Sequence, residues 1–381
     1  MKRSFVLITA LFASACSTPP RLYRHFPEFY WTADNQIKMG LSHVGQSRYY
    51  QVKRDGSDLK PLNRQDYLRS DSIYDASNGQ YSLDFENLET EQTLNSALSG
   101  YKVSIINSQT KEKRFLPDMI VQSASFDGWS ADSQYFLMQV YPQAVSGQES
   151  KLEYWTIRAS DMHIFKIKAE NFTPQPPRNL LHARWAKDNQ LWCLLNKGTE
   201  SESQYEVQKI KADGTEPQSI KILQGKADNR ALGFNSFSPD ERYAILFADV
   251  NKLYLADLTT GKLTFINGGQ GGDWSPDGSQ FAFMSAVSFN EAPYTGYADP
   301  KIPLGDIMNY HVKTAQLKTL TQTPALHEQF PQWSPDGQSL AYTISGNKNQ
   351  VGVFVINPDG SNQVKVTQTI EFVDTPEPPV N

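Results

Sequence analysis

Cysteine is nearly absent from this chain, which has 381 residues and only two cysteines, Cys16 and Cys193. Two cysteines cannot form the disulfide framework that small secreted domains use in place of a large core. Cys193 lies in the apolar run LWCLLN, where we expect a buried thiol that behaves as a small apolar residue. The fold must therefore be stabilised by its hydrophobic residues, which make up 39% of the chain.

Positive charge is also scarce, since 36 Lys and Arg face 41 Asp and Glu, for a formal charge of −5. Proteins that bind nucleic acid concentrate Lys and Arg on one face, so no nucleic-acid partner is expected.

The apolar run at residues 5–12 is too short to span a bilayer. We therefore expect contact with a membrane through a lipid anchor only.

The chain lacks the motifs of common catalytic and metal sites. It contains no HExxH, no GxSxG, no Walker loop and no pair of cysteines at metal-ligand spacing. Its histidines are scattered along the sequence, at His25, His43, His163, His182, His311 and His327. We therefore assign no catalytic residue, metal or cofactor, and an enzyme is the less favoured interpretation.

What the chain does have is a repeated motif: an aromatic residue, a small polar residue and, in most copies, Asp, followed by a short β-like run. Seven copies begin at Trp31, Tyr74, Trp129, Trp185, Phe237, Trp274 and Trp333. A unit of this length cannot bury its apolar face alone, so successive copies must stack on one another. The chain is therefore a repeat protein.

Each copy reads as four antiparallel strands. In the last copy a Ser-Pro-Asp-Gly turn precedes the run SLAYTIS, and VGVFVIN, an Asp-Gly turn and QVKVT follow. Packing such sheets radially protects most of the strand edges that an open sheet would expose. The sequence predicts an all-β fold, a β-propeller of four-stranded blades. Seven blades are favoured, and six or eight stay open.

The aspartates and aromatic residues of the repeat receive a structural interpretation. Asp240, Asp277 and Asp336 occupy one turn position, where a carboxylate accepts backbone N–H bonds. A ring of such residues could also be taken for a calcium or catalytic array, and we favour the turn. The aromatic position is assigned to the core of the blades at Trp31, Trp129, Trp185, Phe237, Trp274 and Trp333.

The runs WSPDGSQFAFMS, WSPDGQSLAYTIS and LYLADLTTGKLTFI resemble the blade repeats of the TolB-like propeller family, clearly over residues 237–367 and more weakly over 31–220. The resemblance implies a propeller over residues 24–369, followed by a tail at 370–381. The family implies protein interaction, ligand binding or an accessory role beside peptidases, and little about activity. TolB carries an α/β domain before its propeller. Because the first repeat begins at Trp31, we do not expect that domain here, and we expect no hydrolase domain after the last blade.

The first residues are typical of a secretory signal: a basic pair, the short apolar run, then Ala-Ser-Ala before Cys16. The ending resembles a bacterial lipobox, which implies a signal peptide over 1–15, a lipid-modified Cys16 and a short tether over 16–23. A plain signal peptide with an incidental cysteine is the alternative. Ser17 resembles the sorting pattern for the outer membrane, so we expect an outer-membrane lipoprotein that faces the periplasm or the cell surface.

In a four-stranded blade, the connection between the second and third strands lies on the same side as the connection to the next blade. The longest connection of this kind covers residues 286–305. Variable loops on a rigid scaffold are the usual place for binding residues. The candidate binding residues from this connection and from the start of the last blade are Phe289, Tyr294, Tyr297, His327 and Glu328. The alternative is an Ω-like loop that packs its aromatic residues on its own blade.

Two classes of function fit these features. We favour a lipid-anchored scaffold that binds an envelope protein or an extracellular polymer through its long-loop face. The alternative is a glycan- or peptide-acting enzyme, a lyase or hydrolase with a site at the mouth of the central channel. A convergent cluster of His, Glu, Asp or Arg with shifted pKa values, or a bound metal, would favour the enzyme.

Overall fold

The computed structural model describes residues 28–43, 46–63, 66, 76, 78–88, 100–116, 121–142, 152–168, 171–172, 179–198, 204–225, 232–248, 252–285, 305–323, 326–345 and 352–367. The signal peptide, Cys16, the tether and the tail at 370–381 lie outside the described residues. So do three candidate binding residues, Phe289, Tyr294 and Tyr297. Within the described ranges, no helix has the length and apolar character needed to cross a membrane.

The regular secondary-structure elements in these described ranges are all strands. In chain order they are β1 (Glu28–Trp31), β2 (Gln36–His43), β3 (Gln46–Lys53), β4 (Lys60–Leu62), β5 (Tyr81–Leu88), β6 (Gly100–Asn107), β7 (Lys113–Phe115), β8 (Val121–Trp129), β9 (Tyr135–Pro142), β10 (Glu153–Arg158), β11 (Ile164–Ile167), β12 (Asn179–Trp185), β13 (Gln190–Asn196), β14 (Tyr205–Lys211), β15 (Gln218–Leu223), β16 (Leu232–Phe237), β17 (Tyr243–Ala248), β18 (Lys252–Asp257), β19 (Leu263–Trp274), β20 (Gln280–Ser285), β21 (Ile307–His311), β22 (Gln316–Thr319), β23 (His327–Trp333), β24 (Leu340–Ser345), β25 (Gly352–Ile356) and β26 (Val364–Lys365).

The described strands form five sheets, in which most strands pair with the next strand of the chain. Three sheets have four strands: β1–β4, β12–β15 and β23–β26. The other two have seven strands, and each joins two blades. One links β5–β7 to β8–β11 through the pair Tyr101 and Val121. In the other, β19 is the last strand of one blade and the first strand of the next.

Divided at these two joints, the described strands form seven blades, of which the second has three strands and the others four. Consecutive antiparallel strands that build separate four-stranded blades are the architecture of a β-propeller. The prediction of an all-β propeller fold is therefore confirmed, and the number of blades agrees with the favoured number.

The chain divides into two compact units. The first covers the described residues between 76 and 234, together with 258–261. The second covers those at 28–66, 235–257 and 262–367. Each unit has apolar clusters of its own.

Central strands of the blades bury both of their faces. In β13 every residue from Leu191 to Leu195 is buried, and in β18 every residue from Leu253 to Ala256. A sheet can bury both faces only where another layer covers each side, as a blade between two neighbours is covered. Cys193 lies within β13, and burial raises the pKa of its thiol, so it packs as a small apolar residue.

Tryptophans of the repeat connect a blade to the blade before it. The indole Nε1 donates from Trp31 to the Gln332 carbonyl at 3.1 Å, from Trp185 to the Gly128 carbonyl at 2.8 Å, and from Trp274 to the Ser236 hydroxyl at 3.1 Å. Each acceptor is the residue just before the aromatic position of the preceding blade. The indole therefore both fills apolar space and hydrogen-bonds to the neighbouring blade.

The turn between the first two strands also repeats. In the last blade the Ser334 hydroxyl donates to Asp336 Oδ1 at 2.6 Å, and the same oxygen accepts the Gln338 N–H at 3.0 Å. Burial alone would raise the pKa of this aspartate, but hydrogen bonds from the serine and the backbone lower it, as they do at Asp240 and Asp277. The geometry is that of a turn cap.

Neighbouring turns hold one another. The residue after the turn aspartate has a positive φ, 60° at Asn35 and 63° at Asn189. Its side-chain Oδ1 accepts a backbone N–H from the turn of the preceding blade, from Asp336 at 3.1 Å and from Asp132 at 2.8 Å respectively. Asn tolerates the left-handed region better than most residues, so one residue both shapes the turn and links two blades.

The second copy of the repeat is shifted by one residue from the predicted register. The Ala76 N–H donates to the Tyr81 carbonyl at 2.7 Å, as the Ser130 N–H donates to the residue five positions later at 2.8 Å. This equivalence makes Asn78 the counterpart of the repeat aspartate, one residue later than a copy that begins at Tyr74 implies. Tyr74 itself lies outside the described residues.

The first and last blades are neighbours within the second unit. Besides the Trp31 bond, the Gln332 Nε2 donates to the Phe29 carbonyl at 3.2 Å, and Arg54 forms an ion pair with Asp336 at 3.2 Å. All described strands of the first blade lie within 28–62, and all those of the last within 327–365. In the described residues, side-chain contacts rather than an exchanged strand therefore join the two ends of the repeat.

Replacing Trp333 with Ala should lower the free energy of unfolding by about 3–5 kcal/mol, because the side chain is fully buried and packs with Leu340 and Tyr342. Chemical denaturation measures this loss. Trp333→Phe keeps more of the buried volume and should cost less. Equal losses for the two variants would contradict the assignment of this position to the core.

Candidate functional site

The longest connection begins and ends at one point. The Ser285 N–H donates to the Asp306 carbonyl at 2.9 Å, and Ser285 Oγ accepts the Asp306 N–H at 2.9 Å. The adjoining Gly305 carbonyl accepts the Glu328 N–H at 3.2 Å. The residues that flank 286–304 are therefore bonded to each other and to β23, the first strand of the last blade. We name the anchoring residues the root site: Ser285, Gly305, Asp306, Thr321, Thr323 and Glu328.

Glu328 is the centre of the root site. Its side chain is fully buried, and the Thr323 hydroxyl donates to its Oε1. The nearby Thr321 hydroxyl accepts the Ile307 N–H at 2.9 Å. Its Oε2 has no hydrogen-bond partner among the described residues. A buried, unpaired oxygen makes the ionised carboxylate costly, so the site favours the protonated acid.

The pKa values of the two acids at the root site agree with this geometry. Burial, and then the charge of Asp306, raises the pKa of Glu328 from 4.5 to about 8. Burial also raises the pKa of Asp306. Two carboxylates in one desolvated site repel each other, so one of them retains its proton. At neutral pH Glu328 is mostly a neutral acid, and its O–H can donate a hydrogen bond.

His327 lies in a different environment from Glu328, although the sequence places the two side by side. Adjacent residues of a strand point to opposite faces, and only Glu328 is fully buried. The Gln329 Nε2 lies 3.0 Å from Nδ1 and 3.2 Å from Nε2 of the His327 ring. Burial lowers the pKa of His327, which is therefore mostly neutral at pH 7. The two residues cannot be treated as one catalytic pair.

His182, in the first unit, is a core residue. Its ring contacts Tyr154 and Phe234 edge to face, with ring centroids 5.9 Å and 6.0 Å apart. Burial, and then the charge of Arg184, lowers its pKa to about 3, so the ring is neutral. In the part of the chain that the structure describes, no three His, Cys, Asp or Glu side chains are grouped so that they could hold a metal ion.

Most of the root site was not foreseen from the sequence. Glu328 was a candidate, but Asp306, Thr321 and Thr323 belong to no motif. One local signal was available, because Asp306 directly follows the glycine that ends the longest connection. From this position, Asp306 could have been predicted to lie close to Glu328, the acid at the start of the next blade.

No protein-family model matches the sequence, and no curated protein sequence matches it significantly. Solved structures do resemble the fold. Dipeptidyl peptidase 4 of Porphyromonas gingivalis aligns with a TM-score of 0.53 and 11% identity, over 90% of this chain and 60% of that one. At this identity the similarity shows a shared fold alone.

Two TolB structures are also among the similar proteins. A putative TolB from Agrobacterium tumefaciens aligns with 17% identity and a TM-score of 0.39, over 70% of this chain and 87% of that one. TolB from Acinetobacter baumannii aligns with 12% identity and a TM-score of 0.38, over 88% and 77%. The similar structures thus include both TolB proteins and a peptidase, and neither kind assigns a function to this chain.

The root site predicts a dependence of stability on pH. Because the pKa of Glu328 is raised from 4.5 to about 8 in the folded protein, its deprotonation opposes folding, and stability falls as the pH rises through this window. Glu328→Gln, which cannot ionise, should remove a loss on the order of 2–4 kcal/mol between pH 5 and 9. Chemical denaturation at several pH values measures the slope.

Asp277→Asn is the matched control. Hydrogen bonds lower the pKa of Asp277 below 3.8 despite its partial burial, so its effect on stability has the opposite dependence on pH. Its stabilising contribution is present above its ordinary pKa and is lost as the pH falls. A Glu328→Gln variant that keeps the wild-type slope from pH 5 to 9 would show that this carboxyl group titrates normally.

Proposed function

We propose that this protein is a scaffold of the bacterial cell envelope, a TolB-like propeller that binds a protein or an extracellular polymer. The observation that carries the proposal is an asymmetry between the two kinds of connection in the blades. One kind repeats almost without variation, and the other differs from blade to blade. Variation on a rigid frame is the usual arrangement of a binding surface.

The connections between first and second strands are short and alike. β12 and β13 are separated by residues 186–189, β16 and β17 by 238–242, and β23 and β24 by 334–339. In four of the blades, a serine hydroxyl in this turn donates a hydrogen bond to the carboxylate of the turn aspartate. Between second and third strands, in contrast, residues 143–152 separate β9 from β10, and residues 286–306 separate β20 from β21.

The root site supports a recognition role for the longest connection. The six residues of the root site hold Ser285, Gly305 and Asp306 together and against β23, so the residues that flank 286–304 form a fixed base. A binding segment benefits from such a base, since ordering it in advance lowers the entropy cost of binding. The aromatic residues Phe289, Tyr294 and Tyr297 supply contact area in this proposal.

The envelope location rests on the lipobox-like ending of the signal at Cys16. Two or more acyl chains anchor a protein stably where a single chain is marginal. In this proposal the lipid is the only contact of the protein with the bilayer, and the outer membrane is the site of anchoring. The propeller then faces the periplasm or the cell surface.

A second function, a lyase or hydrolase acting on glycans or peptides, draws on one observation. Glu328 and Asp306 are a pair of acids with raised pKa values, which is a pattern of general acid catalysis. Full burial of Glu328 argues against it, because a general acid must reach its substrate. Loss of a measured hydrolytic or lyase activity in Glu328→Gln, with the fold intact, would reverse this preference.

Cys16→Ser should release the protein from the membrane fraction or leave an uncleaved precursor, because the lipid is attached through that thiol. Fractionation and mass spectrometry of the mature amino terminus measure the result. Cys193→Ala is the control, since this buried cysteine should not affect membrane association. A Cys16→Ser protein that is processed and stays in the membrane would refute the anchor.

Replacing residues 286–304 with Asn-Gly, while Gly305 is kept, should abolish capture of the partner but leave a folded propeller. The two bonds between Ser285 and Asp306 already bring the ends to hairpin distance, so a short turn can close them. Crosslinking in intact envelopes, followed by purification and mass spectrometry, compares the species captured by the two proteins. Thermal unfolding confirms the fold.

The same Asn-Gly replacement of residues 143–151, between β9 and β10, is the matched control and should leave the captured species unchanged. The proposal fails if the variant lacking residues 286–304 captures the same species as the wild type. It also fails if this variant does not fold, because the connection would then be structural.

A further inference from the structure

Phe330 combines an exposed aromatic ring with a backbone conformation that phenylalanine rarely adopts. It lies in β23, the first strand of the last blade, and its φ is 55°. Its side chain is 54% exposed, the highest value among the large hydrophobic residues described as exposed. A bulky residue in the left-handed region is strained, and an exposed ring does not offset that strain by packing.

The preceding blade has glycine at the equivalent position. Counting back three residues from Trp274 and from Trp333 gives Gly271 and Phe330, and their φ values are 62° and 55°. A Cβ atom placed on Gly271 would meet no atom within 4 Å. The fold therefore needs a left-handed residue at this position, but it does not need a ring.

Phe330 lies in a β-bulge, which takes backbone polar groups out of the sheet. The pairing of β23 with β24 skips from Gln329 to Gln332, so Phe330 and Pro331 have no partner in this ladder. The polar groups of their backbone therefore lie directly beside the exposed ring. Bulges commonly redirect a side chain next to a functional site.

The amide of Gln329, the residue before the ring, has unused capacity for hydrogen bonds. Its Nε2 contacts the ring of His327, which is mostly neutral at pH 7. Its Oε1 is buried and has no hydrogen-bond partner among the described residues. An amide both donates and accepts, as a hydroxyl group does, so the two groups suit each other.

The bulge and its counterpart in the preceding blade carry no charge. Residues 329–332 and 268–272 consist only of Gln, Phe, Pro and Gly. The two acids that flank these segments are already engaged: Asp273 Oδ2 accepts the Trp333 N–H at 2.8 Å, and the buried Glu328 retains its proton at neutral pH. A charged ligand therefore finds no free opposite charge on these two segments.

Phe330 is also isolated from other exposed apolar side chains. Of the large hydrophobic residues described as exposed, no other lies in β23 or in residues 268–274. Protein partners are bound through clusters of buried anchors, which a single ring does not provide. One aromatic face among uncharged polar groups fits a ligand that has an apolar face and hydroxyl groups on its rim.

We propose that Phe330 binds a neutral sugar unit of an extracellular polymer. The C–H face of the sugar lies on the ring, and its hydroxyl groups bond to the Gln329 amide and to the backbone of the bulge. This inference rests on the proposed scaffold function and selects the polymer from its two classes of partner. The bound sugar also accounts for an exposed ring at a position where glycine suffices.

The probes are three neutral hexasaccharides, namely cellohexaose, mannohexaose and galactohexaose, each titrated into the full mature chain and followed by saturation-transfer NMR. At least one should bind saturably. Phe330→Gly and Phe330→Leu should each weaken that binding by roughly tenfold, because both remove the aromatic face. Phe330→Trp should retain it. Because no charge takes part, binding should be unchanged between about 20 and about 500 mM NaCl.

Stability separates this role from a structural one. Because glycine fits the left-handed region, Phe330→Gly should unfold at a temperature no lower than the wild type while it loses sugar binding. Phe265→Ala is the matched control, because Phe265 is 53% exposed in the last strand of another blade and should not affect binding.

Four results would overturn the inference: no saturable binding of any of the three sugars, loss of binding at high salt, unchanged binding in Phe330→Gly, or marked destabilisation of that variant. Capture of a crosslinked envelope protein that depends on Phe330, without sugar binding, would assign the ring to a protein partner instead. If the sugars do not bind but Phe330→Gly still captures the crosslinked species, the scaffold function stands and the role of Phe330 falls.

Discussion

The packing of one aromatic side chain against the preceding blade is the contact on which the rest of the structure depends. A four-stranded sheet has two faces and cannot bury either of them alone. The indoles of Trp31, Trp185 and Trp274 each cross to the blade before and donate a hydrogen bond there. Each core therefore includes part of a neighbour, and within a unit no blade is expected to be stable in isolation.

The same short motif also holds in place the turn between the first two strands of every blade that carries it. The turn that follows the aromatic residue is capped by the aspartate, and at Asn35 and Asn189 it is bonded to the turn of the preceding blade. Since these bonds are made locally, they place no demand on the length of the other connections. This freedom allows a connection as long as residues 286–304 to be carried without disturbing the strands that flank it.

Features that depend on the motif could be predicted from the sequence, and features that depend on distant contacts could not. The strands and turns around Trp274 follow from residues within one copy, whereas the second copy was placed one residue early because its turn has Asn78 in place of aspartate. The charge of Asp306, which raises the pKa of Glu328, acts from one blade on the next. The φ of Phe330 cannot be read from a residue type that ordinarily favours regular strand.

Two local costs lie close together in β23. Glu328 buries a carboxyl oxygen that has no hydrogen-bond partner among the described residues, and two positions later Phe330 adopts a left-handed backbone with an exposed ring. Neither feature stabilises the blade, and the neighbouring blade shows that glycine meets the need for a bulge. A fold with one repeated core can tolerate such costs where the packing around them is sufficient. Both lie in β23, the strand whose Glu328 N–H is bonded to the Gly305 carbonyl at the end of the longest connection.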